Sequence, residues 1–342
     1  MTMQNESHSA EGRILPTIDQ IAAEEARKAQ HLLECEQCAV DLSEEYIEPT
    51  PIIELEGCVV ASVGNISAVV GEAKSKKTFL CSAIIGDLMR FKQPSRFGFT
   101  RRLGQVLWID TEQSKLHARK LYERLIKLTN PPSETEHPLI KMLTLREKSP
   151  LERRTIVIRA IESYHPRLVV IDGISDLQHN TNDLEESEEV VTQLMALSTI
   201  HNCHILCVLH TNPGSDKARG HTGSALQRKA ESVLYVRKVG DASIVEPQFC
   251  RNEPFERFAF KINDDGLPES CDLPSDAMQS TPEGNDVVRV MRDHFPDGVS
   301  RTTLITKLVE LYGWSRNQAR VRIHRTIRKD LLEPNGDDLF LR

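Results

Sequence analysis

Residues 71–78 read GEAKSKKT, and their types and spacing could hold a polyphosphate. The pattern that does so is G-x-x-x-x-G-K-[ST]: backbone amides cradle the phosphates, the lysine reaches the β- and γ-phosphates, and the hydroxyl meets Mg2+. Gly71 opens the pattern, Lys77 and Thr78 close it, and Lys76 stands where the second glycine belongs. The amides of Glu72, Ala73, Lys74, Ser75 and Lys76, with Lys77, Thr78 and Phe79 at a helix start, would form the cradle. The competing reading is a strand-to-helix turn with a solvated lysine cluster. Lys76 bears on the choice, because its backbone must tolerate a turn that usually takes glycine.

Three further runs end in residues that suit such a site. QVLWIDTEQS (105–114) closes an apolar run with Asp110 and Glu112. Glu112 could activate a water, or Asp, Thr and Glu could simply cap a helix. RLVVIDGISD (167–176) ends its apolar run at Asp172, a carboxylate that would join Thr78 in the Mg2+ shell. The run from His204 ends at His210, either a strand-end core residue or a nucleotide sensor. It continues into a Gly/Ser loop bearing Lys217, Arg219 and His221.

The elements that must position these residues follow from the flanks. NISAVVG reads as a buried strand ending at Gly71, and KTFLCSAIIGDLMRF as a helix with apolar residues at 79, 80, 83, 84 and 88. Short apolar runs recur at Ile66–Gly71, Val106–Asp110, Leu168–Asp172 and His204–His210, each followed by a helix-length segment. Three more, Ser232–Val236, Ser243–Cys250 and Arg257–Ile262, follow each other closely. The first group predicts parallel β-α units and the second predicts hairpins closing one edge of the sheet, an α/β fold whose strand ends carry the site.

The order GEAKSKKT, WIDTE, VVIDG, VLHTN resembles that of RecA-like P-loop ATPases. It is similar above all to the hexameric replicative helicases and to the RepA-type ATPases of Bacteroides-type mobile elements, whose loop tends to carry a basic residue at the second glycine. The resemblance covers about residues 50–265. It implies ATP and Mg2+ as ligands, Lys77 and Thr78 as the Walker A pair, Glu112 as the catalytic carboxylate, Asp172 as the Walker B aspartate and His210 as the strand-end sensor. It also implies that loop 213–224 touches DNA, and that the chain forms a homo-oligomer such as a hexamer. PQFCRNEPFERFAF resembles the R-N-G-P hairpin of ring helicases, which makes Arg251 a finger for a neighbour's γ-phosphate; Phe249 replaces the lysine often found two residues earlier.

The last sixty residues read as a separate unit. Val287–Phe295, Ser300–Tyr312 and Ser315–Leu331 are helical, and LEPNGDDLFL forms a hairpin, which together predict a small C-terminal winged helix. On a 100° wheel Ala319, Ile323 and Ile327 share the inward face, and Gln318, Arg322, Arg325 and Lys329 take the other, with Arg316 at the helix start. Between Asn285 and Leu332 there are ten Lys/Arg against five Asp/Glu, a local excess in a chain of net charge −7. Such a face would bind DNA through phosphates and base edges; a protein-docking winged helix is the alternative. Trp314 and Leu308 read as core.

The expected organisation is therefore an N-terminal helical arm (1–47), a RecA-like ATPase domain (48–265), a linker (266–284) and a winged helix (285–342). At 342 residues, 39% hydrophobic and 27% charged, the composition fits a globular chain, and no apolar run is long enough to span a membrane. Eight scattered cysteines suggest free thiols and a cytoplasmic setting. Cys35 and Cys38 form a C-x-x-C for which the sequence offers no second ligand pair. Three functional classes compete: a DNA-acting ATPase motor, an ATP-switched DNA-binding regulator with little turnover, and a helicase-loading scaffold acting through residues 1–47.

Overall fold

The computed structural model describes residues 18–43, 45–46, 48–90, 96–100, 104–133, 135–212, 215, 217–274, 285–312, 316–328 and 331–342. Lys329, Trp314, residues 213, 214 and 216 of the expected DNA loop, and most of the expected linker lie outside them, as do the side chains of Gln318 and Arg325. The chain divides into two compact units, Met1–Glu48 and Pro49–Arg342. The first contains α1 (Ile18–Gln37), whose described side chains are exposed.

The second unit is built on a sheet that has nine strands among the described residues. Six of them run parallel: β3 (Ile66–Gly71), β5 (Val106–Asp110), β6 (Ile140–Thr144), β7 (Leu168–Asp172), β8 (His204–His210) and β9 (Ser232–Val239). Their order across the sheet is β9-β3-β8-β7-β5-β6. From β9 the sheet continues antiparallel through β10 (Ala242–Cys250), β11 (Phe258–Ile262) and β12 (Pro268–Cys271). The expected hairpin edge is there, with β9 as its joint: parallel to β3 on one side, antiparallel to β10 on the other. Residues 268–271, read as linker, instead form the edge strand β12.

Side chains alternate along each central strand, and both faces are covered, as a parallel sheet requires. Val69, Trp108, Val170 and Leu206 face α2 (Lys77–Met89) and α3 (Lys115–Thr129) through Leu80, Ile84, Leu121 and Leu125. Val70, Ile109, Ile171 and Cys207 face α4 (Pro150–Tyr164), α5 (Leu184–Ile200) and α6 (Gly220–Lys229) through Ile161, Val191 and Leu226. Helix α2 is buried nearly all round, and a Cβ on Gly86 would stand 2.9 Å from Leu128 Cβ of α3, so glycine sets that close approach. Helix starts are fixed by Ser149, which forms a capping box with Glu152, and by Asp183, which accepts from the Glu186 amide.

A small sheet of β1 (Pro51–Leu55), β2 (Cys58–Ser62) and β4 (Phe99–Thr100) went unread in the sequence. Ser62 ties it to the start of β9: its amide and hydroxyl donate to the buried Glu231 carboxylate at 2.8 and 2.7 Å. The C-terminal residues have a core of their own, formed by α7 (Asn285–His294), α8 (Arg301–Tyr312), α9 (Arg316–Arg328) and the strands β13 (Val299–Ser300), β14 (Leu332–Asn335) and β15 (Asp338–Leu341). Leu308, Ala319 and Ile323 are buried there as the periodicity predicts.

Candidate nucleotide site

Strand register brings the chemistry to one edge. Gly71 pairs with His210, Asp172 with both Asp110 and Val208, so the C-terminal ends of β3, β5, β7 and β8 lie side by side. A Cβ on Gly71 would collide with the Val236 carbonyl of β9, which is why the loop leaves the strand at a glycine. The chain then turns through Lys74 and Lys76, both left-handed at φ 65° and 77°, and enters α2 at Lys77. Lys76 thus adopts the conformation that favours glycine at this place, at a cost of about 1 kcal/mol.

Lys77 turns back into its own loop. Its Nζ donates to the carbonyls of Gly71 and Glu72, both at 2.9 Å, and lies 3.0 Å from His210 Nδ1. Burial lowers its pKa to about 8, against the pull of Asp172 and Glu112. His210 is itself lowered, by burial and then by Lys77 and Arg219, so it is neutral at pH 7. Its Nδ1 accepts from the lysine in the tautomer that carries hydrogen on Nε2, and Nε2 lies 4.0 Å from Glu112 Oε1. Lysine, imidazole and carboxylate therefore form one polar line along the strand ends.

The Thr78 hydroxyl donates to Asp172 Oδ2 at 2.8 Å. Burial raises Asp172 to about 7, and the neighbouring Asp110 and Glu112 add to the rise. Glu112 is also raised, first by burial and then by Asp176 and Asp110. Gly173, which the sequence did not single out, holds this edge together with Thr111 and Asp110. Gly173, at φ 106°, admits Thr111 so closely that a Cβ would collide with the threonine hydroxyl. Thr111 Oγ1 in turn sits within hydrogen-bond reach of the Gly173 carbonyl (3.0 Å) and of Asp176 Oδ2 (2.9 Å). Asp110 accepts from the Glu112 and Gln113 amides and closes the turn that presents Glu112, whereas the N-cap of α3 is Ser114, so none of residues 110–112 caps that helix.

The edge opens into a cleft of about 390 Å3 lined by Lys74, Lys76, Lys77, Thr78, Glu112, Asp172 and His210 on one side and by His117, Lys120 and Arg124 of α3 on the other. Arg124 stacks 3.6 Å over the Phe79 ring and is lowered to about 10 by burial. It reaches the cleft only because α3 packs on α2, which no local pattern in the sequence reveals. Three buried polar atoms of the loops at this edge, Ser75 Oγ, Asp110 Oδ2 and Thr211 Oγ1, have no hydrogen-bond partner within the protein, and Asp110 among them lines the cleft. Buried orphans of this kind are satisfied by water or by a ligand. The donors suit Mg2+ with a polyphosphate: one hydroxyl and one carboxylate is the usual protein share when phosphates and water fill the rest of an octahedron.

Other expected residues lie elsewhere. Lys217, Arg219 and His221 are exposed on the segment after β8, with the Arg219 amide donating to the His210 carbonyl at 2.9 Å. Arg251 is not brought to the cleft. It follows β10 at the opposite edge of the sheet, level with Ser232, and its guanidinium donates to the Lys229 carbonyl at 2.6 Å. On α9, Arg316 is exposed but Arg322 is half-buried rather than outward. The wheel explains this: three residues at 100° place Arg322 about 60° from Ala319, beside the core stripe and not across from it. Arg320, passed over in the sequence, is exposed.

A glycine-headed loop at the end of a central parallel strand, a Lys-Thr helix start and an aspartate one strand over define a P-loop nucleotide-binding domain of the α/β class. Residues 54–216 match the model of the AAA domain. A likeness to the crystal structure of the RadB recombinase covers 62% of this chain and 92% of that one, at 16% identity and a TM-score of 0.44. No curated protein matches the chain.

Proposed function

We propose that the protein is a RecA-like ATPase that hydrolyses ATP and acts on DNA, in the replication or mobilisation of a plasmid or mobile element. The observation that supports it is the convergence of Lys77, Thr78–Asp172, Glu112 and His210 on one cleft. Thr78 and Asp172 would hold Mg2+, which when bound would supply charge neutralisation on the phosphate oxygens. Lys77 leaves the Gly71 and Glu72 carbonyls for the β- and γ-phosphates. Glu112, held by the Asp110 turn, orients water for in-line attack and takes its proton, which its raised pKa favours. His210, relieved of Lys77, turns Nε2–H toward the new charge, and the Arg219 amide on its carbonyl links that movement to the basic segment 217–221.

The C-terminal helices and hairpin are read as a winged helix whose α9 binds DNA through Arg316 and Arg320. Assembly into a ring, and any trans-acting role for Arg251, belong to this reading as well. Arg251 serves it only if a neighbour's cleft meets the edge opposite to its own.

A second reading has a specific observation in its favour. Lys76 in the left-handed region, with Lys77 tied back to the loop, suits a nucleotide switch with slow turnover. Steady-state ATP hydrolysis without DNA, with single strands and with duplex separates the two. DNA-stimulated turnover that disappears in Lys77→Ala is expected. Tight ATP binding without turnover would establish the switch, and no nucleotide binding at all would overturn both.

A further inference from the structure

The chain buries Cys58, Cys81, Cys203 and Cys207 but exposes two thiols, Cys35 and Cys38, in its N-terminal unit. Cysteine is among the residues most often buried, so a pair left in solvent at C-x-x-C spacing asks for a partner. Cys35 lies in the last turn of α1 and Cys38 just beyond it, and the Cys38 amide donates to the Cys35 carbonyl at 3.0 Å, a tight turn that keeps the two residues together.

The helix end decides what kind of partner. The C-terminus of a helix carries partial negative charge, which favours cations and disfavours thiolates standing alone. No basic residue in the last turn of α1 offsets it, and Glu34 and Glu36 add negative charge of their own. A reactive or redox thiol wants the opposite surroundings, a helix N-terminus or a neighbouring lysine. A soft divalent metal such as Zn2+ suits this pair better, since it binds cysteines at this spacing as thiolates.

The pair fills two positions of a metal site. A structural zinc takes four ligands in a tetrahedron. Among the described residues no group of three or more His, Cys, Asp or Glu side chains is placed to hold a metal. For the second pair the surroundings favour another copy of the same element. Leu32, Leu33, Val40 and Leu42 flank the two thiols, and all are exposed, Leu42 to 95%. A two-fold axis through a shared metal would set these residues of two chains against each other, which is how an isologous contact buries an apolar surface. We infer that Cys35 and Cys38 form half of a tetrathiolate Zn2+ site that clasps two copies of the chain by their N-terminal units.

The inference is independent of the nucleotide site and is tested on the full-length protein, kept reduced, by metal analysis and light scattering. The expected result is one Zn2+ per two chains, lost in Cys35→Ser/Cys38→Ser, with chelator and the double variant each removing one step of association. Co2+ in place of Zn2+ should give the intense visible bands of a tetrahedral thiolate site in the wild type alone. One metal per chain without association would overturn the shared site. So would wild-type zinc content in the double variant, or an association that survives chelator. A dimer abolished by reductant would show a disulfide instead and overturn it equally. Loss of ATP hydrolysis in Lys77→Ala leaves all of these readouts in place.

Discussion

Burial holds the Asp172 carboxyl up at about 7, although Thr78 donates to it and Lys77 lies nearby. Between about 4 and 7 the folded protein keeps a proton that the unfolded chain has released, so this residue's contribution to stability falls as pH rises through that window and stays lowered above it. Three pKa units correspond to about 4 kcal/mol, and the open cleft screens roughly half of that. Asp172→Asn, which keeps the shape and the acceptor for Thr78, is expected to stabilise the fold by about 2 kcal/mol at pH 8 while abolishing Mg2+-dependent turnover. Thermal melting from pH 8 down to about 4.5 should show the gain shrinking; a gain that persists or grows toward acid would contradict burial as the cause. Lys76 offers a second comparison at the same scale. Lys76→Gly and Lys76→Ala both remove the side chain over Phe79, but only glycine relieves the left-handed backbone. The glycine variant should exceed the alanine variant by about 1 kcal/mol in urea unfolding, and equal stabilities would mean that the loop carries no strain at residue 76.

At the scale of elements, the four strand ends were legible because each buried run is continuous, β-rich and stopped by a glycine or a polar residue, and because a parallel sheet aligns such stops at one edge. Less regular elements escaped. β6 is a half-exposed edge strand, IKMLT, with too few buried positions to register as a run. β1 and β2 form a tight hairpin across Glu56 and Gly57 that went unread in the sequence, and only the pairing of β1 with β4 joins residues far apart in sequence. The site showed the same division: Lys77, Thr78, Glu112, Asp172 and His210 stand at strand or helix ends where spacing reveals them. Thr111, Gly173 and Arg124 matter through neighbours they meet only on folding. Gly173 tests that distinction. Its φ of 106° and its closeness to Thr111 leave no room for a methyl group, so Gly173→Ala should push the 111–112 turn away and carry Glu112 with it. A displacement near 1 Å costs chemistry far more than binding. Turnover should fall about 10-fold or more with nucleotide affinity within about threefold, measured as kcat against equilibrium nucleotide binding; matching losses in both would place the damage in the loop rather than at Glu112.

For the whole molecule the charge distribution matters more than the total. A chain of net charge −7 does not attract DNA as a whole, so any binding must come from local surfaces. Two exposed ones have the right sign: the segment carrying Lys217, Arg219 and His221, and α9 with Arg316 and Arg320. The C-terminal hairpin has the wrong sign, since Glu333, Asp337 and Asp338 are all exposed around its turn. Phosphates would be repelled there, so under the proposed DNA-binding reading α9 would be the binding element and the hairpin its support, seated by the Phe340 ring on Gly298. Arg316→Ala/Arg320→Ala should therefore weaken duplex binding by a similar factor on unrelated sequences. It should also reduce the slope of log affinity against log salt by about 0.9 for each phosphate that is no longer neutralised, close to 2 for the pair. Asp337→Asn/Asp338→Asn should move affinity the other way. If the arginine variant leaves the salt slope unchanged, α9 does not touch the phosphates, and the C-terminal unit docks on protein instead.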